Sequence, residues 1–201
     1  GEMSLEQHVD PFGAPDERVF LLAFLNSLHE TGITNPLDEA IKNRRTSDPL
    51  DTAVLKHDHP DIHDYQKLEE IPFDFERRRV SIVVRHEDQR LLITKGAPES
   101  VLAVCTAYEL NGQQNPLDQN TRTRAETTFR DLCKKGFRVL AVAYVPVGAK
   151  DVYGPKDETA LVLAGFLTFS DPPLETTQAT LNALREDGIE VKILTGDNEL
   201  V

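Results

Sequence analysis

Lys95 and Gly96 close a short apolar run within Leu91–Glu99, LLITKGAPE, and a proline follows at Pro98. Glycine lets the chain turn tightly. Proline fits the first helical position, where its missing N–H has no helical partner anyway. A strand that delivers a lysine ammonium to the mouth of a helix would join that charge to free N–H groups and the positive end of the helix dipole, which is anion-binding chemistry. A second cluster places Arg77, Arg78 and Arg79 beside Phe73 and Phe75. That grouping suits a nucleotide, with a ring stacked on the base and a cation meeting phosphate. The same residues also fit a core phenylalanine and a solvated arginine guard on an edge strand, as Lys95 alone fits a surface lysine. Arg138 opens a buried strand, FRVLAVA, where a charge is costly unless something negative pairs with it. One of the 34 Asp and Glu residues could do so as a structural salt bridge.

The composition bounds the partners. The chain has 201 residues, 39% hydrophobic and 28% charged, with a net charge of −12. This is a globular mixture, one ordinary domain or one domain plus part of another. The acidic balance argues against nucleic acid as the main partner, because phosphate backbones need an excess of Lys and Arg. No apolar run approaches the roughly 20 residues that span a bilayer. Cys105 and Cys133 both fall in helical patterns and read as buried thiols of a reduced compartment, with a disulfide as the other possibility. There is no P-loop of the GxxxxGKS/T type, no GxGxxG, no serine nucleophile elbow and no zinc spacing.

The elements that must position these residues follow from periodicity. Met3–His8 reads as a short edge strand. Asp16–His29 carries Val19, Phe20, Ala23, Phe24 and Leu28 at helical spacing, with Gly32 as its stop. Asn35–Ile41 is echoed 13 residues later by Asp48–Val54, and each begins with a capping residue and a proline. His57–Asp64 reads as a solvated acidic loop, with metal binding as the alternative. Tyr65–Ile71, Val80–Arg85 and Arg90–Thr94 are strands, the last two a hairpin. Pro98–Cys105 is a short helix. Asn111-Gly112 is a hairpin turn between Ala107–Leu110 and Gln113–Asn115. Asn120–Lys135 is an amphipathic helix stopped by Gly136, and Phe137–Val145 is a buried strand. Residues 146–158 form a Pro/Gly/charged loop. Leu161–Phe169 is apolar and halted by Asp171-Pro172-Pro173. A helix over Glu175–Asp187, a stop at Gly188 and a buried strand over Glu190–Leu194 then lead into Thr195-Gly196-Asp197, a half-wound α/β pattern.

Lys95-Gly96-Ala97-Pro98-Glu99, Asp171-Pro172-Pro173 and Thr195-Gly196-Asp197-Asn198, in this order and spacing, resemble the cytoplasmic region of P-type cation-transporting ATPases. The resemblance covers nearly the whole chain, and Ile71–Arg79 with the ending LTGDNELV is most similar to bacterial magnesium-transporting pumps. It implies an α/β (α+β) fold: a mixed or antiparallel sheet flanked by helices over residues 1–168, the nucleotide-binding domain. The start of a Rossmann-like phosphorylation domain would occupy residues 169–201. Phe73 matches the aromatic that stacks on adenine, and Arg78 the phosphate-interacting lysine of relatives, with its charge kept. Lys95 and Gly96 match the adenine-pocket motif, and Arg138 the arginine on the nucleotide phosphates. A carboxylate of the pocket falls on Asp38 or, by counting back from Ile71–Phe75, on Asp51. Asp171, Pro172 and Pro173 match the hinge. Thr195, Gly196 and Asp197 match the phosphorylation domain.

The resemblance thereby moves the phosphates to Arg78 and Arg138, puts Lys95 at the adenine end and leaves the helix after Pro98 as scaffold. The phosphorylated Asp of the family has no counterpart in this sequence, so the expected role is to bind ATP without hydrolysing it. In the whole pump, Mg2+ would accompany ATP, and the partners would be the phosphorylation, actuator and transmembrane domains of an integral plasma (inner) membrane protein. Two other readings stand beside it: a regulatory or interaction module of the same fold that has lost nucleotide binding, and a free-standing phosphatase-like enzyme. Phe73, Lys95 and Arg138 together speak against the first, and the absence of a nucleophilic Asp motif against the second.

Overall fold

The computed structural model describes residues 4–31, 62–170 and 177–192. Within them, one eight-stranded mixed sheet carries helices on both faces. The strands are β1 (Ser4–Val9), β2 (Tyr65–Asp74), β3 (Arg79–His86), β4 (Gln89–Gly96), β5 (Cys105–Leu110), β6 (Gln113–Pro116), β7 (Arg138–Pro146) and β8 (Leu161–Ser170). The helices are α1 (Glu17–His29), α2 (Pro98–Ala103), α3 (Gln119–Lys134) and α4 (Thr177–Glu186). The strand order is β2-β3-β4-β7-β8-β5-β6, with β1 paired to the second half of β8. All described pairs are antiparallel except β5 with β8.

Gly165 marks the point where β8 changes partners. One edge of β8 pairs with β5 through Leu163 and then with β1 from Phe166 onward. A Cβ at Gly165 would stand 1.9 Å from the Val9 carbonyl oxygen, so only glycine lets the two backbones meet.

The helices form where their caps and apolar stripes dictate. Asp16 is the N-cap of α1, and its carboxylate accepts the Arg18 N–H at 2.8 Å. Val19, Phe20, Leu22, Ala23, Phe24 and Leu25 then face the sheet and pack on Ile82, Val84, Ile93, Val142 and Phe169. Each large side chain so buried contributes roughly 1.5–3 kcal/mol relative to exposure. On the opposite face, Ala125, Phe129, Leu132 and Cys133 of α3 join Val101 and Leu102 of α2 over Val83, Leu92, Ala141 and Phe166. Asp118 caps α3 by accepting the Thr121 N–H at 2.8 Å. Asn111 and Gly112 both have positive φ, the signature of a type I′ hairpin turn joining β5 to β6.

Several expectations need correction. Cys105 is the first residue of β5, not part of a helix, because α2 ends at Ala103. Both thiols are free and buried, and burial pushes Cys105 up to about 12. β2 runs through Pro72 to Asp74, beyond the expected end at Ile71. A proline is tolerated there because β2 is an edge strand, with an irregular register between Ile71 and Asp74. Leu28 lies on the helical stripe by spacing yet is 41% exposed, at the last turn of α1. The buried strand expected over Glu190–Leu194 is not seen in its described part. Glu190, Val191 and Lys192 are exposed and irregular, with no neighbouring strand among the described residues to pair with. The duplicated segment with Asp38 and Asp51, most of the histidine loop, the Asp171-Pro172-Pro173 hinge, and Thr195, Gly196 and Asp197 lie outside the described residues.

Candidate functional site

Strand register gathers the remaining candidates at one end of the sheet. Asp74, Arg79, Gly96 and Ala141 lie opposite one another in a row across β2, β3, β4 and β7. Phe73 and Arg78 flank the first two members of that row, Lys95 precedes the third, and Arg138 lies three residues outward of the fourth. Adjacent strands are about 4.8 Å apart. The end of β2 and the start of β7 are therefore separated by roughly three spacings, the scale of a nucleotide.

The turn between β2 and β3 shapes the rim. The Asp74 carboxylate accepts the N–H groups of Glu76 at 3.0 Å and Arg77 at 2.9 Å, while the Asp74 carbonyl accepts the Arg78 N–H at 2.6 Å. Short Asx side chains favour such turns by bonding the backbone just ahead of them. Arg78 is left with φ +48°, a left-handed conformation that costs a non-glycine residue roughly 1–2 kcal/mol. Its side chain is exposed. Phe73 is 48% exposed and meets Phe75, itself 89% exposed, edge-on at 5.3 Å. Phe73 is thus not the core residue that a strand position would ordinarily make it. An aromatic face and a cation stand together at an open rim.

Gly96 is confined by the same turn. A Cβ on it would stand 2.4 Å from the Arg78 carbonyl oxygen and 2.5 Å from the Arg79 Cβ. The Ala97 N–H donates to that same carbonyl at 2.9 Å. The glycine is therefore required for close approach of two strands, not for a positive φ.

Lys95 is only 3% exposed. Its Nζ donates to Ser27 Oγ at 2.8 Å and meets Glu30 Oε2 at 3.5 Å, both at the C-terminal end of α1. Alternation places Lys95 on the α1 face with Ile93, while α2 packs on the opposite face through Val101 and Leu102. The lysine and the N-terminus of α2 therefore do not form one cradle, and the anion site suggested by LLITKGAPE alone is not built. Asn26, the residue before Ser27, is a buried amide. Asn26 Nδ2 donates to the carbonyls of Ile93 at 2.9 Å and Val80 at 3.4 Å, and its Oδ1 has no partner among the described residues. Arg138 begins β7, half-buried, on the α1 face by the same alternation as Leu140 and Val142. Lys95 and Arg138 thus share one face, with Phe73 and Arg78 on the adjoining rim.

Next to this corner, Lys67 Nζ donates to the His29 carbonyl and to Glu70 Oε2, the latter at 2.6 Å. Burial works to raise the Glu70 carboxyl, but hydrogen bonds from Lys67 and Thr31 outweigh it and hold the group below its usual range. Burial, with the Lys67 charge, lowers His29.

The other two arginines of the triplet have a different task, neither surface guard nor ligand. Arg77 Nη1 donates to both oxygens of Glu158 at 2.7 Å, and Arg79 Nε donates to Oε2 at 2.8 Å. Ser81 Oγ donates to Oε1 at 2.7 Å and lies 2.7 Å from the Thr94 hydroxyl. The Glu158 side chain has no exposure at all, and among the described residues these are the groups that hold it. In the sequence Glu158 is one more charge in the loop over residues 146–158. Ser81 and Thr94, polar residues inside the apolar runs VSIVV and LLIT, were the visible sign of a buried polar partner. Ser27 and Glu30 gave no sign beyond lying on a helix end.

Among the described residues no three His, Cys, Asp or Glu side chains are placed to hold a metal, and no helix is long and apolar enough to cross a membrane.

The family described as P-type ATPase, cytoplasmic domain N, matches residues 19–176. The chain is 44% identical over 200 residues to the "Magnesium-transporting ATPase, P-type 1" of Salmonella typhimurium (strain LT2), covering 98% of this chain and 21% of the relative. It is 42% identical over 200 residues to the protein of the same name in Escherichia coli (strain K12), with the same coverage. A calcium-transporting ATPase of Listeria monocytogenes is 25% identical over 181 residues, covering 86% of this chain and 20% of that protein. The chain thus spans about a fifth of the length of these relatives.

Proposed function

The chain belongs to the family of P-type ATPase cytoplasmic N domains, and from that premise we propose that the rim of Phe73 and Arg78, continued by Lys95, Gly96 and Arg138, binds ATP. The observation that supports it best is the half-exposed Phe73 ring beside an exposed arginine at the same sheet end as Lys95. Phe73 stacks on adenine, Lys95 and Gly96 line the adenine end, and Arg78 and Arg138 meet the phosphates. Asp51, or Asp38 of the first copy, supplies a carboxylate to the adenine pocket. The relatives named for magnesium transport suggest a magnesium pump as the parent protein.

In that setting the residues named here bind and orient the nucleotide, and a separate Asp accepts its γ-phosphate by in-line transfer. Residues 1–168 are the nucleotide-binding domain, and residues 169–201, opening with the Asp171-Pro172-Pro173 hinge, are the start of the phosphorylation domain segment carrying Thr195, Gly196 and Asp197. The partners are the phosphorylation, actuator and transmembrane domains, and the site is a cytoplasmic face of the plasma (inner) membrane. Among the described residues no cluster of carboxylates or imidazoles is placed to hold Mg2+; magnesium would arrive on the ATP phosphates.

Chemical-shift mapping tests the placement. ATP is expected to move the amides of 73–79, 94–97 and 138 in a saturable way. Shifts centred instead on the β5–β6 hairpin would move the site elsewhere.

A further inference from the structure

We propose that Glu158 is a positioning residue of the nucleotide site: through Arg77 and Arg79 it presets the β2–β3 turn that carries Arg78. The inference rests on the reading of Phe73 and Arg78 as ATP contacts. Arg78 is the one residue of the triplet that Glu158 does not hold, and it lies between the two that it does. It sits at φ +48°, which an arginine does not favour, so the turn keeps this shape only if its neighbours are tied down.

The ties converge from both sides. Arg77 holds Glu158 through Nη1 while its Nη2 donates to the Pro72 carbonyl at 2.6 Å, the residue before Phe73. Arg79 holds Glu158 through Nε while its Nη1 donates to Ser100 Oγ at 2.9 Å. The Ser100 hydroxyl in turn donates to the Arg77 carbonyl. The buried carboxylate, on the far side of the sheet from Lys95, therefore fixes both ends of the turn and the spacing between the aromatic ring and the Arg78 cation. Glu158 bonds neither Phe73 nor Arg78 and has no exposed side-chain surface, so its action is indirect.

The test compares wild type with Glu158→Gln and the gentler Ser100→Ala. Two quantities are read on each: hydrogen exchange of the Ala97 amide, which donates to the Arg78 carbonyl, in nucleotide-free protein, and affinity for ATP and for adenosine by calorimetry. Positioning of Arg78 requires faster Ala97 exchange in both variants. It also requires ATP affinity to fall about tenfold or more in Glu158→Gln, as expected for a lost charge-assisted contact, while adenosine affinity falls much less. Unchanged Ala97 exchange, or equal losses for ATP and adenosine, overturns the proposal. If Glu158→Gln does not fold, Glu158→Asp, which keeps the charge but draws it back from Arg77 and Arg79, decides by the same two criteria. If wild type binds neither ligand, the ATP reading falls, and the exchange measurement still decides whether Glu158 sets the turn.

Discussion

Gly96 lies so close to Arg78 that a single added carbon would stand 2.4 Å from the Arg78 carbonyl oxygen. The glycine of the lysine-glycine pair and the cation of the rim are therefore one structural unit. Gly96→Ala should push β4 away from the turn and break the Ala97 N–H bond to Arg78. The expected loss of stability is roughly 1–3 kcal/mol, as for other overpacked sites. It is read from the urea midpoint, and an unchanged midpoint would show that the two strands are less tightly joined than described.

Phe73→Ala separates ligand from core. A ring already 48% exposed contributes little to folding, so stability should change by no more than about 0.5 kcal/mol. Loss of stacking should weaken ATP by about 1–3 kcal/mol. A large drop in melting temperature with unchanged ATP affinity would assign the ring to the fold instead.

The same contrast shows what was legible in the sequence. Strand and helix placement followed from period and breakers: Asn111-Gly112 and Gly136 each signalled a local backbone state that needs no distant partner. The mixed sheet flanked by helices was implied by family likeness and is present. What stayed hidden were contacts across long sequence separations. Lys95 reads as a strand-end lysine, yet its partner Ser27 is 68 residues away. Arg77 reads as one of three alike, yet its partner Glu158 is 81 residues away. Periodicity reports which face a side chain occupies, not what chain segment will cover that face. The anion-cradle reading failed for this reason: Lys95 and α2 are neighbours in sequence but lie on opposite faces of the sheet.

Gly165→Ala should be more damaging than any substitution at the rim. The new carbon would overlap the Val9 carbonyl oxygen at 1.9 Å and crowd Val19 at 2.9 Å. Detachment of β1 from β8 and a loss of about 3 kcal/mol or more are expected. Protection of the β1 amides against hydrogen exchange checks this, and full protection in the variant would refute it.

His29 should make stability pH-dependent. Burial and the Lys67 charge lower its folded value below the ordinary 6.5, and its Nε2 has no partner among the described residues. The unfolded chain then takes up a proton first as pH falls. The contribution is fully present above about pH 6.5 and is lost progressively below it. His29→Gln should flatten the fall of stability between pH 7 and pH 5, on the order of a single histidine titration. An identical pH profile in the variant would place the titration elsewhere.

The central claim is that Phe73 and Lys95, one at the open rim and one held against α1, serve a single ATP site. It is tested most directly by titrating ATP into wild type, Phe73→Ala and Lys95→Ala and following the signal by NMR or fluorescence. Saturable binding by wild type, weakened in both folded variants, is the expected result. No saturable binding by wild type, or variants that both bind as well as wild type, would contradict it.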